Sequence, residues 1–261
     1  MLATDAFLAG QPPWVGLGAL VVAGAIASVI NSMAGGGSLL TLPMLMAVGL
    51  PAGLANGTNR VGVVVQGLAA VITFHRRGVR DYGLVARLLP AMMLGAAGGS
   101  WLATRLGDDL LRVVFGVMLA GWAVFLVLRP GGFLNVPEQP RKVGPLALVL
   151  SVLIGVYGGF LQAGVGFPLL ALLVPYLGYP AVRANAIKVA LVLGFSLVSL
   201  PVFVLAGQVQ WREGLALAAG GMVGGWLGAR LQLRAGATLV RWVVVVAVAV
   251  SGVAMLRGAL G

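Results

Sequence analysis

Apolar residues form long uninterrupted runs along this chain, and polar residues are confined to short stretches between them. A helix that crosses a bilayer needs about 20 apolar residues. Runs of about that length cover residues 15–34, 57–74, 84–104, 110–128, 144–163, 184–206, 213–231 and 239–257. Two shorter runs, 38–49 and 166–178, each follow a cluster of glycines. The pattern predicts an all-α polytopic membrane protein with about eight transmembrane helices and two half-length helices.

Composition excludes a soluble fold. Hydrophobic residues occupy 60% of the 261 positions and charged residues only 9%, whereas a soluble domain is roughly half apolar and a quarter charged. The formal charge of +11 would suggest nucleic acid in a soluble protein. Here most Lys and Arg lie in short loops between apolar runs, where the positive-inside rule places them. We therefore expect a lipid bilayer as the surroundings and no nucleic-acid partner.

The two halves of the chain resemble each other. Two pairs of segments share one offset, so no gap is needed between them: 34–37 with 163–166, and 49–56 with 178–185. A third pair, 99–105 with 224–230, follows after a small shift. The polar stretch from Arg129 to Gly144 contains three prolines and one glycine pair, which are typical of a linker. The sequence predicts an internal two-fold repeat, with a first repeat at 1–130, a linker at 131–143 and a second repeat at 144–261.

Two orientations of the repeats are open. If each short run crosses the membrane, each half has five crossings and the repeats are inverted. One face then carries Arg76, Arg77, Arg80, Arg129, Arg141, Lys142, Arg183, Arg230, Arg234 and Arg241, and the other carries Arg105, Arg112, Arg212 and Arg257. If each short run only completes a broken crossing, the repeats are parallel and the charges divide more evenly. The positive-inside bias favours the inverted arrangement, although 11 or 12 helical residues span only about 17 Å.

Polar groups inside the apolar runs mark a candidate site. The first glycine cluster is Gly35 to Gly37, and glycines are poor helix formers. The second cluster contains Gly164 and Gly166 and is followed by Pro168, which is placed to start a helix. Broken helices are tolerated in hydrocarbon only beside protein or a wet cavity, and each new helix start offers free N–H groups. The alternative is close helix packing, which we prefer for Gly95, Gly98, Gly99, Gly220, Gly221, Gly224 and Gly225.

Two cations lie inside later apolar runs. Arg60 ends the segment Asn56–Arg60, and Lys188 ends the corresponding segment Asn185–Lys188. A charge inside the membrane costs several kcal/mol unless it is compensated, so it usually faces a cavity and marks function. The alternative is that both side chains snorkel to an interface. We expect substrate contact.

The acidic residues lie elsewhere, at termini, in loops or at the ends of apolar runs: Asp5, Asp81, Asp108, Asp109, Glu138 and Glu213. The interior therefore lacks the carboxylates with which cation transporters bind Na⁺ or relay protons, and its cations and neutral donors, among them Gln66, favour a small anion. One His and no Cys leave neither a catalytic triad nor a metal site, so we expect no enzyme and no cofactor. The predicted substrate-binding residues are Asn31, Ser32, Gly35, Gly36, Gly37, Ser38, Asn56, Thr58, Asn59, Arg60, Gln162, Gly164, Gly166, Asn185 and Lys188.

These motifs resemble the TauE/SafE family of membrane permeases. The resemblance rests on a glycine-rich break, a half-length run containing Pro43, a short turn and the segment Ala55–Asn59, and the second half repeats the layout. It covers nearly the whole chain. It implies export of sulfite, or of small organosulfur anions such as sulfoacetate, across the bacterial cytoplasmic membrane without an ATPase domain.

The sequence thus predicts a secondary transporter, multi-pass in the bacterial cytoplasmic membrane, that binds a small anion between two repeats. Sulfite or an organosulfonate is the expected cargo. A different small solute or metal ion, or a role as a non-transporting scaffold subunit, are the alternatives. The sequence leaves open whether the chain forms a homo-oligomer.

Overall fold

All regular structure in the described part of the chain is helical. The computed structural model describes residues 12–33, 35–128 and 141–234. The helices are α1 Pro13–Met33, α2 Ser38–Ala47, α3 Ala52–Arg76, α4 Tyr82–Arg105, α5 Asp108–Leu128, α6 Pro145–Phe160, α7 Gly166–Ala171 continued by the π-helical turn Leu172–Tyr176, α8 Ala181–Leu205 and α9 at residues 211–234. The predicted all-α class is confirmed over these residues. The predicted run 239–257, most of the linker 131–143 and Arg129, Arg241 and Arg257 lie outside them.

Four of the described helices, α1, α3, α4 and α8, combine the length and hydropathy needed to cross a membrane. The predicted number of about eight crossings is therefore not confirmed by the described residues. Helix α6 ends at Phe160, three residues before the predicted end of its run. It stops there because Gln162 has a φ of 65°, in the left-handed region that non-glycine residues rarely adopt. The two short helices begin at Ser38 and Gly166, where the sequence predicts them.

The paired sequence motifs have matching backbone conformations. Gly35 and Gly164, one in each break, have φ values of 94° and 72°. Gly49 and Gly178, after the short helices, have φ values of 100° and 78°. Such angles favour glycine because it has no β-carbon. Segments related by the sequence offset therefore adopt the same turns. The turns at Gly49 and Gly178 are each followed by a proline and a 25-residue helix.

Each short helix lies at the centre of an apolar core. Leu42 and Leu45 of α2 are fully buried in a cluster with residues of α1, α3 and α5. Leu169 and Leu173, in α7 and its π-helical continuation, are fully buried in a second cluster with α4, α6 and α8. The breaks are therefore held inside the protein, as interrupted helices in a bilayer must be.

Helices α4 and α6 pack in parallel through glycines. A β-carbon on Gly95 would lie 2.2 Å from the carbonyl oxygen of Val152, and one on Gly99 would lie 2.0 Å from that of Val156. Both contacts leave no space for a side chain. The residue numbers rise together along both helices, so the two helices run in the same direction.

Helices α1 and α9 repeat this arrangement. A β-carbon on Gly220 would lie 1.9 Å from the carbonyl oxygen of Val21, and one on Gly224 would lie 2.1 Å from that of Ala25. The packing role is thus confirmed for these glycines, and equally for Gly95, Gly99, Gly221 and Gly225, whose β-carbon positions all meet neighbouring helices. It is wrong for Gly98: none of the described residues lies within 4 Å of its β-carbon position, because Gly98 is exposed and faces away from the described bundle.

Helices α3 and α8, which occupy corresponding places in the two halves, run in opposite directions. The Arg60 guanidinium near the start of α3 lies 4.9 Å from the ring centre of Phe203 near the end of α8. Further along α3, Gly67 contacts Leu193, which precedes Phe203 in α8. An ion pair of 2.7 Å between Asp81 and Arg183 joins the starts of α4 and α8, which run in the same direction.

These directions bring most described cations to one end of the bundle, here named the basic end. The ends of α3 and α9 and the starts of α4, α6 and α8 meet there, with Arg76, Arg77, Arg80, Arg87, Arg141, Lys142, Arg183, Arg230 and Arg234. Among described acids only Asp81 lies at this end. The opposite end carries Arg105, Arg112 and Arg212 together with Asp108, Asp109 and Glu213. The two ends therefore differ strongly in net charge.

The two glycine breaks touch each other at the middle of the bundle. A β-carbon on Gly35 would lie 2.4 Å from the α-carbon of Gly166, and one on Gly166 would lie 2.2 Å from the α-carbon of Gly35. Both neighbours are main-chain atoms that cannot swing aside. The halves of the chain can meet here only because both positions are glycine.

We predict that Gly166→Ala lowers the thermal unfolding midpoint of the purified protein in detergent. Overpacking costs about 1–3 kcal/mol, and the backbone of Gly166 is not in the left-handed region, so the effect is steric alone. Gly98→Ala is the matched control, and we expect it to leave the midpoint unchanged or raise it slightly, because alanine favours a helix over glycine by about 1 kcal/mol. Equal midpoints for the two variants would contradict the contact.

Candidate functional site

Side chains of α3 satisfy the carbonyl groups at the end of α6. Arg60 donates from Nη1 to the carbonyl oxygen of Gly158 at 2.8 Å and from Nη2 to that of Gly159 at 2.6 Å. Asn56 donates from Nδ2 to the carbonyl oxygen of Phe160 at 2.7 Å. The last four carbonyls of a helix have no partner within the helix, and a cation there also interacts favourably with the helix dipole. Arg60 and Asn56 therefore cap α6 where it ends inside the protein.

A side chain of α8 does the same for α1. Lys188 donates from Nζ to the carbonyl oxygen of Asn31 at 2.8 Å, near the end of α1, and to Oδ1 of Asn185 at 2.7 Å. By the sequence offset, Asn185 corresponds to Asn56, and Lys188 lies one position from the equivalent of Arg60. Each half of the chain thus supplies a cation that holds the broken helix of the other half.

Both cations are fully inside the protein. Arg60 is 0% exposed and Lys188 is 1% exposed. The snorkelling alternative is therefore wrong, because the neighbouring helices enclose both side chains. Within the described residues, neither cation has an acidic partner. The ion pair between Arg183 and Asp81 lies away from both cations, at the basic end.

An amide of α3 joins the start of α2. Asn59 donates from Nδ2 to Oγ of Ser38 at 3.1 Å and accepts from Oγ1 of Thr41 at 2.6 Å. No side chain caps the main chain at the start of α2, where Gly37 is the N-cap residue. Gly37 itself packs against α1, since a β-carbon there would lie 2.3 Å from the carbonyl oxygen of Ala27. This helix start therefore lies beside Asn59 without a side-chain cap, and the main-chain N–H groups of Leu39 and Leu40 donate to the carbonyl oxygens of Gly36 and Gly37.

Two small cavities of about 10 Å³ each lie next to these groups. The first is bordered by Asn31, Ser32 and Lys188, and the second by Gly37, Ser38 and Asn59. Gln66 and Val63 border both. A cavity of this volume holds about one water molecule. The described conformation is therefore closed around a polar centre.

The remaining predicted residues are distributed around the breaks. Gly35 and Gly166 contact each other, and a β-carbon on Gly36 would lie 3.0 Å from the ring of Phe167. Gln162 donates from Nε2 to Oγ of Ser196 at 2.9 Å, and its Oε1 has no partner among the described residues. Gly164 lies against the indole of Trp122.

Thr58 lies apart from the two cavities. Its Oγ1 accepts from the main-chain N–H of Gln210 at 2.9 Å, in the loop between α8 and α9. That loop lies at the end opposite the basic end.

Thr41 and Ser28 border the second cavity, although the predicted set omits them. Their signal in the sequence is weak, because a single hydroxyl inside an apolar run is common in membrane helices.

Comparison with known proteins agrees with this architecture. The family model described as sulfite exporter TauE/SafE matches residues 20–255. That range covers both glycine breaks, both buried cations and every described helix from α2 to α9. No solved structure matches the chain at a significant level.

Curated relatives are similar over nearly their whole length. The "Probable membrane transporter protein YfcA" of Escherichia coli K12 is 29% identical over 247 residues, which cover 94% of this chain and 91% of that protein. A "Probable membrane transporter protein" of Haemophilus influenzae is 28% identical over 232 residues, covering 88% and 90%. "Probable membrane transporter protein ORF9" of a Sinorhizobium species is 30% identical, covering 87% of each chain. Their names state transport and give no substrate.

We predict that Thr41 and Asn59 are energetically coupled. In a double-mutant cycle with Thr41→Val and Asn59→Ala, the two changes should be non-additive by about 0.5–1.5 kcal/mol, as expected for a buried hydrogen bond between membrane helices. The free energy of unfolding in mixed micelles is the measurement. Thr73→Val is the control partner, because the Thr73 hydroxyl bonds its own helix at Ala69. Additive effects would show that the hydrogen bond between Thr41 and Asn59 does not couple α2 to α3 energetically.

Proposed function

The chain belongs to the sulfite exporter TauE/SafE family and is an integral membrane transporter, and from this premise we propose that it is a secondary transporter for a small anion. Sulfite or an organosulfonate is the proposed cargo, carried across the bacterial cytoplasmic membrane. Family membership fixes the class of protein. The choice of an anion rests on the charges and donors around the breaks.

Lys188 carries the proposal. A lysine ammonium has three N–H donors, and two are used by Asn31 and Asn185. The third is available to a ligand in the cavity that Lys188 borders with Ser32 and Gln66. A buried positive charge with no described acidic partner is stabilised when an anion binds beside it.

Arg60 adds charge from the other break. Its two terminal nitrogens donate to the carbonyl oxygens of Gly158 and Gly159, while Nε has no partner in the described part of the chain. We propose that Arg60 mainly positions the end of α6 and contributes positive potential to the binding region. The positive dipole end at the start of α2, which has no side-chain cap, and the amides of Asn56, Asn59 and Asn185 complete the groups that we assign to an anion.

Binding requires the helices to separate. A cavity of about 10 Å³ accommodates one water and not a four-atom oxyanion. We propose that the two halves form inverted repeats and that the anion enters when one half rocks against the other around the breaks. The opposite directions of α3 and α8 support this arrangement, as does the exchange of cations between the halves.

The charge difference between the two ends supports an orientation. Cytoplasmic loops carry an excess of Lys and Arg, and nine of the described cations lie at the basic end. We propose that the basic end faces the cytoplasm. The opposite end then faces outward. At that end the Asp108 carboxylate accepts hydrogen bonds from the main-chain N–H groups of Ala52 and Gly53.

We predict that Lys188→Ala lowers sulfite flux by about tenfold or more, because it removes a charge-assisted hydrogen bond to the anion. The measurement is release of ³⁵S-sulfite from proteoliposomes that contain purified protein. Lys142→Ala is the matched control: Lys142 is the only other lysine of the chain and is exposed at the basic end. Arg60→Ala should also abolish flux, through the loss of the α6 cap.

Competition and stability separate the alternatives. Excess thiosulfate or sulfoacetate should inhibit sulfite release, whereas a neutral solute or a divalent cation should not. Because Lys188 also caps α1, thermal midpoints are measured with and without sulfite, and sulfite should raise the midpoint of the wild type but not of Lys188→Ala. Full flux in Lys188→Ala refutes its role. Competition by a cation or a neutral solute would indicate another cargo. If no flux is measured and another protein co-purifies with the chain, the scaffold alternative is favoured.

The orientation is tested by cysteine labelling, for which the chain is well suited because it contains no cysteine. We predict that Arg80→Cys, at the basic end, reacts with a membrane-impermeant maleimide only in inside-out vesicles. Gly107→Cys, at the opposite end where a β-carbon meets nothing within 4 Å, should react in intact cells. The reverse pattern would place the basic end outside.

A further inference from the structure

A groove of about 450 Å³ lies between the end of α3 and α9, at the basic end of the bundle. It opens to the outer surface and is separate from the two small cavities at the breaks. Three arginines line it, Arg76, Arg77 and Arg230. No described acidic residue lines it. The groove is therefore positively charged at its mouth.

The rest of the groove is apolar. Ile72 of α3 and Met222 and Trp226 of α9 line its walls, and each is about half-exposed. Met222 precedes Arg230 by eight residues, so the apolar wall extends about 12 Å from the arginine along the helix axis. Trp226 lies between them, and the Arg230 guanidinium sits 4.3 Å from its ring centre. An aromatic residue beside an arginine is typical of the level of a membrane where hydrocarbon meets headgroups, because aromatic residues are enriched there.

The charged mouth and apolar wall suit one kind of ligand. Arginine binds phosphate through a planar set of N–H donors, and basic pockets between transmembrane helices on the cytoplasmic side bind anionic lipid headgroups. A free phosphate would use the mouth alone and leave the apolar wall without a function. A phospholipid uses both, with its phosphate at the arginines and an acyl chain beside Ile72 and Met222.

We propose that this groove binds an anionic phospholipid. The headgroup phosphate is held by Arg76, Arg77 and Arg230, and one acyl chain lies along the wall between α3 and α9. The lipid then bridges the two helices on the side that faces the bilayer. The site does not depend on which solute the protein transports.

The probe is phosphatidylglycerol, compared with phosphatidylcholine of the same acyl chains, added to delipidated protein in detergent. Native mass spectrometry measures the affinity of each lipid. The variant R76Q/R77Q/R230Q should bind phosphatidylglycerol about tenfold more weakly or worse, since each arginine near the headgroups adds to the attraction. The matched control R80Q/R87Q/R234Q removes the same charge from the same end but lies outside the groove, and we expect it to retain the lipid.

A second variant tests the apolar wall. Ile72→Trp keeps the charge and fills the groove, so it should also weaken phosphatidylglycerol binding, by about threefold or more for a lost acyl contact. Helix content by circular dichroism confirms that each variant is folded. If both triple variants lost affinity for phosphatidylglycerol equally, the effect would come from diffuse charge, and the proposed site would be overturned. Equal affinity for phosphatidylcholine, or full competition by inorganic phosphate, would overturn the assignment to an anionic lipid.

Discussion

A helix that ends inside a bilayer leaves carbonyl oxygens that water cannot reach, and this constraint governs the centre of the protein. Each unpaired main-chain group in hydrocarbon costs several kcal/mol. Here the end of α6 is capped by Arg60 and Asn56, and the end of α1 by Lys188. Because each cap comes from the other half of the chain, neither broken helix is complete without its counterpart.

The same arrangement explains why buried cations are tolerated without described acidic partners. Carbonyl dipoles at a helix end supply partial negative charge, which offsets part of the desolvation of Arg60 and Lys188. Compensation by dipoles is weaker than compensation by a carboxylate, so positive potential remains at the breaks. A small anion between the halves, the ligand that we propose, is favoured by this residual potential. In that proposal its binding is coupled to the helix ends, because Arg60 and Lys188 hold those ends.

Close contact between main chains makes the centre sensitive to small changes. Gly35 and Gly166 touch directly, and Gly95, Gly99, Gly220 and Gly224 bring α4 against α6 and α9 against α1. Packing of this kind has few intermediate arrangements, because the neighbouring atoms are main chain and cannot repack individually. In the movement that we propose, the helices therefore shift as units, with the breaks between them.

The sequence by itself determined the helical class, the approximate positions of the described helices and the two breaks, because apolar runs and glycine clusters act locally. It also identified Arg60 and Lys188 as residues of interest, since a charge inside an apolar run is visible without a structure. It misjudged Gly98, whose direction depends on how α4 is rotated, and the end of α6, which the backbone of Gln162 sets. What each cation touches, which helices run together and how small the cavities are were decided only by the tertiary structure. The physical reason is that these properties depend on partners distant in the chain, such as Gly158 for Arg60 and Asn31 for Lys188, which no local pattern specifies.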